Sequence, residues 1–454
     1  VQKKADLIAA IATPVGQAGI GVIRLSGDIK PLANLASSFL PGGLPPARIA
    51  RHTTFLASNK AAIDSGIALY FSAPASFTGE HVLELQGHGG QTVMQMLLSR
   101  CIELGARIAE AGEFSLRAFL NGKLDLVEAE AVADLIAAGS SAAARSAMRS
   151  LSGEFSAAVH SLTDELTELR LRLEASIDFP EEEIEVHNSI GAQPRLNSLQ
   201  KQLKALLQRA SQGHLLQHGL EVVLAGQPNV GKSSLLNSLA EEDVAIVTPV
   251  AGTTRDVLRS QIQIEGIPLY IVDTAGLRDS DDIVEQIGVS RAWQALEKAD
   301  FALLVVDARV GETELDTAIR QRLPASLPLL IVHNKSDLSR QEATVLPPAA
   351  HATTAIRLSA ITGDGIDLLK RELLRLAGWQ PTENVFIARG RHLQALSLAQ
   401  KHMKNATLIL KETSEVDMLA EELRLAQLAL GEITGELASD DLLGEIFSRF
   451  CIGK

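Results

Sequence analysis

At 454 residues the chain is too long for a single hydrophobic core and fits about three domains of roughly 150 residues each. Its formal net charge of −13 excludes a protein that coats nucleic acid by bulk attraction, so an RNA partner has to be held locally or by another subunit. Two cysteines, Cys101 and Cys451, exclude a disulfide framework and point to a reducing cytoplasm.

In chain order, the first apolar stretch stops at Thr13 and Pro14, too short for a signal segment, and no later run reaches the roughly eighteen apolar residues of a membrane span. Over residues 19–121 the strand-like runs GIGVIRL, GIALYF and HVLELQG alternate with glycine turns, and helix-like runs follow at 93–104 and 114–120, which predicts a mixed α+β domain. Residues 124–218 predict long helices, with Leu162, Leu166, Leu169 and Leu173 on one face. Pro180 and an acidic run in DFPEEEIEVHNSIG break them. From GLEVVLAG to about residue 378 the text repeats strand, glycine loop and helix, as in a parallel α/β domain. Helical text resumes after Pro381, with Leu419, Leu423, Ala426, Leu430 and Ile433 again on one face. The simplest topology is an α/β domain inserted into a helical one, with boundaries at 1–121, 122–218, 219–379 and 380–454.

GQPNVGKSS lies between the strand-like EVVLA and the helix-like LLNSLA, the setting of a phosphate-binding loop. Backbone N–H groups from Asn229, Val230, Gly231 and Ser234 would surround the phosphates, Lys232 would reach the β and γ oxygens, and the Ser233 hydroxyl would bind Mg2+. Three companions follow in order. DTAG places Asp273 near the magnesium, with Thr274, Ala275 and Gly276 along the γ-phosphate. NKSD supplies Asn334, Lys335 and Asp337, and a carboxylate accepts from the N1–H and amino group of guanine but not from adenine N1. LSA offers Ser359 and Ala360, whose backbone N–H meets the guanine carbonyl. Thr254 in GTTRD is the expected switch threonine on the magnesium when GTP is present. Leu277 stands where a water-orienting Gln is expected, so either catalysis is feeble or the water is placed from elsewhere; Glu285 is the candidate, and its alternative is a solvated charge at a helix start. Asn229 has two readings: a turn residue, or an amide that holds a monovalent cation beside the phosphates with carbonyls of TPVAGTT.

These motifs, together with FTGE, LELQGHGG, LNGKLDLVEAEAVADLI and the terminal FCIGK, closely resemble the MnmE (TrmE) family of tRNA-modification GTPases, and they span nearly the whole chain. The resemblance implies an amino-terminal folate-binding domain that also dimerises, a discontinuous helical domain, and an inserted Ras-like P-loop GTPase domain. It implies GTP-binding along Thr248, Pro249, Val250, Ala251, Gly252, Thr253 and Thr254, with K+ held by Asn229, Thr248, Val250 and Thr253 and hydrolysis served by Glu285. A tetrahydrofolate derivative would meet Arg24, Glu84, Lys123 and Lys454. The family acts as a homodimer with the flavoprotein MnmG (GidA), which carries FAD. Together they add an aminomethyl or carboxymethylaminomethyl group to the wobble uridine of certain tRNAs. A ribosome-assembly GTPase switch shares the same nucleotide motifs and is the alternative, although no basic RNA-binding module is legible.

The tail SRFCIGK fails as a prenylation box, because Gly453 is not aliphatic and Lys454 is not a usual final residue. Ser439 could cap a last helix that Leu443, Ile446, Phe447 and Phe450 pack down. Given the resemblance, Cys451 becomes a catalytic or substrate-contacting thiol, with a nucleophile, a proton shuttle and a packing residue all open.

Overall fold

The structure, a computed structural model, describes residues 6–178, 191–241, 259–273, 299–347, 354–380, 385–412, 415–436, 440–448, 450 and 453. It divides into two compact units. The first comprises Val1–Ile136, Ser150–Lys204 and Gln394–Lys454, and the second Ala137–Arg149 and Ala205–Leu393.

The amino-terminal part of the first unit is built from β1 (Ile8–Ile11), β2 (Ala18–Gly27), α1 (Ile29–Phe39), β3 (Arg51–Leu56), β4 (Ala62–Phe71), β5 (His81–Gly89), α2 (Gln91–Glu103), β6 (Arg107–Ile108) and α3 (Glu113–Leu120). The strands form one six-stranded sheet in the order β3-β4-β5-β2-β1-β6. Alternation along β2 and β5 explains both the core and the site. Ile23 pairs with Leu85 and Leu25 with Leu83, and all four are buried with Leu32, Phe39 and Leu97 of the covering helices. Their neighbours Arg24 and Glu84 pair on the opposite face. The glycine-turn reading passes over α1, although Leu32, Leu35, Ala36 and Phe39 have helical spacing and are all buried.

Helices α4 (Leu126–Ala137), α5 (Ser141–Leu151), α6 (Glu154–Asp178) and α7 (Ala192–His218) follow. The four leucines expected on one face of α6 are each 2% exposed or less.

The second unit carries β7 (Leu220–Ala225), α8 (Lys232–Glu241), β8 (Arg259–Ile264), β9 (Ile267–Asp273), β10 (Phe301–Asp307), α9 (Glu314–Arg322), β11 (Leu329–Asn334), α10 (Ser336–Ser339), β12 (Thr344–Leu346), β13 (Ala355–Arg357) and α11 (Ile366–Leu376). Its seven-stranded sheet runs β12-β13-β11-β10-β7-β9-β8, parallel from β13 to β9 with an antiparallel strand at each edge. The central strands are apolar and buried, as strands covered on both faces must be. The strand order reverses at β7, so the loop beyond its carboxyl end stands at a topological switch point, where ligands of such sheets bind.

The chain closes with α12 (Gly390–Glu412), α13 (Val416–Thr434) and α14 (Asp440–Ser448). The seam of α13, Leu419 to Ile433, is buried as its spacing predicts. It packs on α6, where Gln427 donates to Thr167 Oγ1 at 2.9 Å and accepts from Arg170 at 2.7 Å. The chain is therefore multidomain: an α+β sheet domain, a helical region drawn from separated segments, and an α/β P-loop domain that interrupts those segments in the sequence.

Candidate functional site

The phosphate loop occupies residues 226–231, between the end of β7 and the start of α8. Val230 anchors it by joining the apolar core, whereas Asn229 is exposed with φ +62°, a left-handed conformation that Asn adopts more readily than most residues. Lys232 lies back along the loop and donates to the carbonyls of Gly226 at 2.9 Å and Gln227 at 3.0 Å. Ser233 is exposed in the first turn of α8, Ser234 is half-buried, and Asp273 ends β9 beside Leu224. Sequence reasoning missed the anchor Gln227. Its amide donates to Thr313 Oγ1 at 2.9 Å and Asp316 Oδ2 at 2.8 Å, the pair that forms the capping box of α9.

Asn334 joins the guanine-side motifs to this loop. Its Nδ2 donates to the Val230 carbonyl at 2.8 Å while its Oδ1 accepts from the Ala360 N–H at 3.0 Å, and the side chain is 2% exposed. A Cβ on Gly231 would collide with that same amide, so the residue there has to be glycine. Lys335 donates to the Asn229 carbonyl at 2.6 Å and to Asp307 at 3.0 Å. The Arg309 guanidinium, with Lys335 beside it, holds the Asp307 carboxyl well below the usual carboxylate range. Asp337 is exposed, and the buried Ser359 hydroxyl donates to its Oδ1 at 2.6 Å, fixing the carboxylate's orientation. Thr248, Pro249, Val250, Ala251, Gly252, Thr253, Thr254, Thr274, Ala275, Gly276, Leu277 and Glu285 lie outside the described residues.

In the first unit, Arg24 and Glu84 meet across β2 and β5. Arg24 Nε and Nη2 both contact Glu84 Oε1 at 2.9 Å, and its guanidinium lies 5.9 Å from the Phe77 ring centre and 6.0 Å from that of Phe114. Arg24 Nη1 also reaches the Gly453 carbonyl at 3.4 Å, which brings the chain's end to this pair. The tail is held by burial. Leu443, Ile446, Phe447 and Phe450 form one apolar cluster with Leu126 and Ala129. Lys123 is exposed, its stem beside Gly79 of the FTGE turn. Ser439, Cys451 and Lys454 lie outside the described residues.

Beside this pair is a charged network that sequence reasoning also missed. Arg117, 6% exposed, donates to Glu80 at 3.0 Å, Glu113 at 2.9 Å and Asp6 at 2.8 Å, while Arg107 holds Asp6 and Glu113 at 2.7 Å each. The bonds from Arg107, and then from Arg117, outweigh burial and lower the Asp6 carboxyl to about 2. Burial pushes Glu113 upward, but the same two arginines leave it below its ordinary value. The only sequence signal was the Glu113 and Arg117 pair at helical i,i+4 spacing.

Residues 7–123 match the family described as GTP-binding protein TrmE N-terminus, and residues 126–451 match the one described as MnmE helical domain. A protein named tRNA modification GTPase MnmE from Dechloromonas aromatica (strain RCB) is 58% identical over 453 residues, covering 99% of this chain and 100% of that protein. One of the same name from Nitrosomonas europaea is 56% identical over 455 residues, covering 99% of each. A third, from Nitrosomonas eutropha, is 55% identical across 100% of both chains. Identity above one half, sustained from end to end, extends through both units, and the chain belongs to the MnmE (TrmE) family of tRNA modification GTPases.

Proposed function

We propose that this chain hydrolyses GTP in a potassium-stimulated reaction and, as a homodimer with the FAD-carrying partner MnmG in the cytoplasm, serves tRNA modification. The product is an aminomethyl or carboxymethylaminomethyl group on the wobble uridine of certain tRNAs, with a carbon from a methylene-tetrahydrofolate.

The observation that carries the nucleotide half is the Asn334 bridge. One buried amide sets the phosphate loop and the Ala360 N–H at fixed spacing, and the neighbouring Asp337 is oriented by Ser359. A guanine nucleotide needs its base and phosphates read at one such separation. Lys232 leaves the Gly226 and Gln227 carbonyls for the β and γ oxygens, exchanging two neutral acceptors for anionic ones. The exposed Ser233 hydroxyl fits magnesium with Thr254, and the exposed Asn229 amide fits potassium with the Thr248, Val250 and Thr253 carbonyls. When bound, these cations supply neutralisation of charge developing on the transferring phosphoryl group. Glu285 orients the attacking water, since Leu277 has no group to do so.

Arg24, Glu84 and the neighbouring tail support the folate half. Both Arg24 contacts fall on Glu84 Oε1, so Oε2 is the oxygen offered to a pterin amino group. Phe77 flanks the pair, Lys123 and Lys454 suit the anionic glutamate of the folate, and Cys451 precedes Gly453 by two residues in the sequence.

GTP turnover by the purified chain in potassium against sodium buffer tests the hydrolytic reading. Turnover at least about tenfold faster in potassium, lost in Glu285→Ala with GDP affinity kept, is expected. Equal rates in the two salts contradict the cation site, and a fully active Glu285→Ala contradicts its role.

A further inference from the structure

The hairpin of β8 and β9 joins the two segments that would sense the γ-phosphate, and it is fastened at its tip. β8 starts at Arg259, just after TPVAGTTRD, and β9 ends at Asp273, the first residue of DTAG. At the other end Glu265 and Gly266, with φ +50° and +83°, form a two-residue turn between the paired Ile264 and Ile267. Three side chains hold that turn. Ser140 Oγ donates to the Gly266 carbonyl at 2.8 Å, Gln263 Nε2 to the Gly139 carbonyl at 2.6 Å, and Trp379 Nε1 to Glu265 Oε2 at 3.0 Å. Packing there is close: a Cβ on Gly266 would stand 2.8 Å from the Ala142 Cβ.

Ser140 does a second job. The same oxygen accepts the Ala143 N–H at 3.1 Å, which caps the start of α5. The hairpin tip and the amino end of α5 therefore share one hydroxyl. Helix α5 then carries the chain out of the second unit, which ends at Arg149, into the first, which resumes at Ser150.

We propose that this clamp is where the nucleotide state leaves the nucleotide domain. The two-stranded ribbon is paired throughout its length, so a rearrangement on γ-phosphate binding at its open end displaces it as a body. Ser140 and Gln263 pass that displacement to residues 139–142 and into α5, and Trp379 braces the turn from the side of Glu265. Ser140 and Gln263 are positioning residues and touch no nucleotide. The inference deepens the GTPase reading above and rests on it.

Hydrogen exchange measured by mass spectrometry on the full chain, with GDP and with a slowly hydrolysed GTP analogue, tests the clamp. In the unaltered protein, exchange at residues 139–146 should differ by at least about threefold between the two nucleotides. Ser140→Asp keeps an acceptor to cap α5 but cannot donate to Gly266, and Gln263→Ala removes the second bond without touching the cap. Combined, they should erase the difference at 139–146 while the phosphate loop stays protected by both nucleotides. Equal exchange at 139–146 in the unaltered protein, with the phosphate loop responding, overturns the clamp; so does a difference that survives the double substitution. A phosphate loop that responds to neither nucleotide overturns the GTPase reading, and the clamp with it.

Discussion

The side-chain amide of Asn334 lies 2.8 Å from the carbonyl of Val230, a contact that spans 104 residues of chain and fastens the NKSD turn to the loop between β7 and α8. Asn334→Ala leaves two buried backbone groups, the Val230 carbonyl and the Ala360 N–H, without that partner. Each such loss costs about 1–3 kcal/mol. GDP affinity should fall by at least about tenfold, as read by titration with a fluorescent GDP. Unchanged affinity would show that the bridge does not set the site.

Asp337 accepts from Ser359 on one oxygen and is otherwise exposed. Asp337→Asn offers an amide donor where guanine presents its amino group, and that donor suits the additional carbonyl of xanthine. The variant should prefer xanthosine over guanosine diphosphate by at least about tenfold in competition binding. Retained guanine preference would place base recognition elsewhere.

The nucleotide half was legible because its chemistry is local. The strand EVVLA, the loop GQPNVGKSS and a helix follow one another without interruption, and NKSD and LSA each close a strand at the same sheet edge. The seams of α6 and α13 were legible for a similar reason, since helical spacing is written within one segment. What sequence left hidden is pairing over distance. Arg117 reaches residues 37 and 111 positions away, and nothing near Ser140 announces the hairpin turn 126 residues on. Gln227 was passed over because its partners Thr313 and Asp316 look like an ordinary helix cap.

The Arg117 network should make the amino-terminal domain sensitive to acid. Asp6 and Glu113 are both depressed in the folded protein, so their contribution is complete above the unfolded carboxylate range near pH 4 and is lost as pH falls through about 2. Thermal melts should show the midpoint declining over that window. Arg117→Ala takes the arginine from Glu80 and leaves Glu113 with Arg107 alone, and should cost about 3–5 kcal/mol at neutral pH, with a shallower acid dependence than the parent. A variant with the parent's stability and acid profile would contradict the network's role.

Gly453 sets the position of the tail. Its φ is +99°, and an added Cβ would stand 2.6 Å from the Ile11 carbonyl oxygen. Gly453→Ala should therefore lift the chain's end from Arg24 and reduce tRNA modification by at least about tenfold while GTP turnover stays within about twofold. Parallel loss of both activities would mean that the tail acts through general stability.

If GTP hydrolysis on this chain serves modification of the tRNA wobble uridine, the modified nucleoside has to depend on Lys232 as well as on the presence of the chain. Nucleoside mass spectrometry on tRNA from cells lacking the chain, complemented with the unaltered protein or with Lys232→Ala, tests it most directly. The modified uridine should disappear without the chain, return with the unaltered protein and fail to return with Lys232→Ala. Identical nucleoside profiles with and without the chain would contradict it.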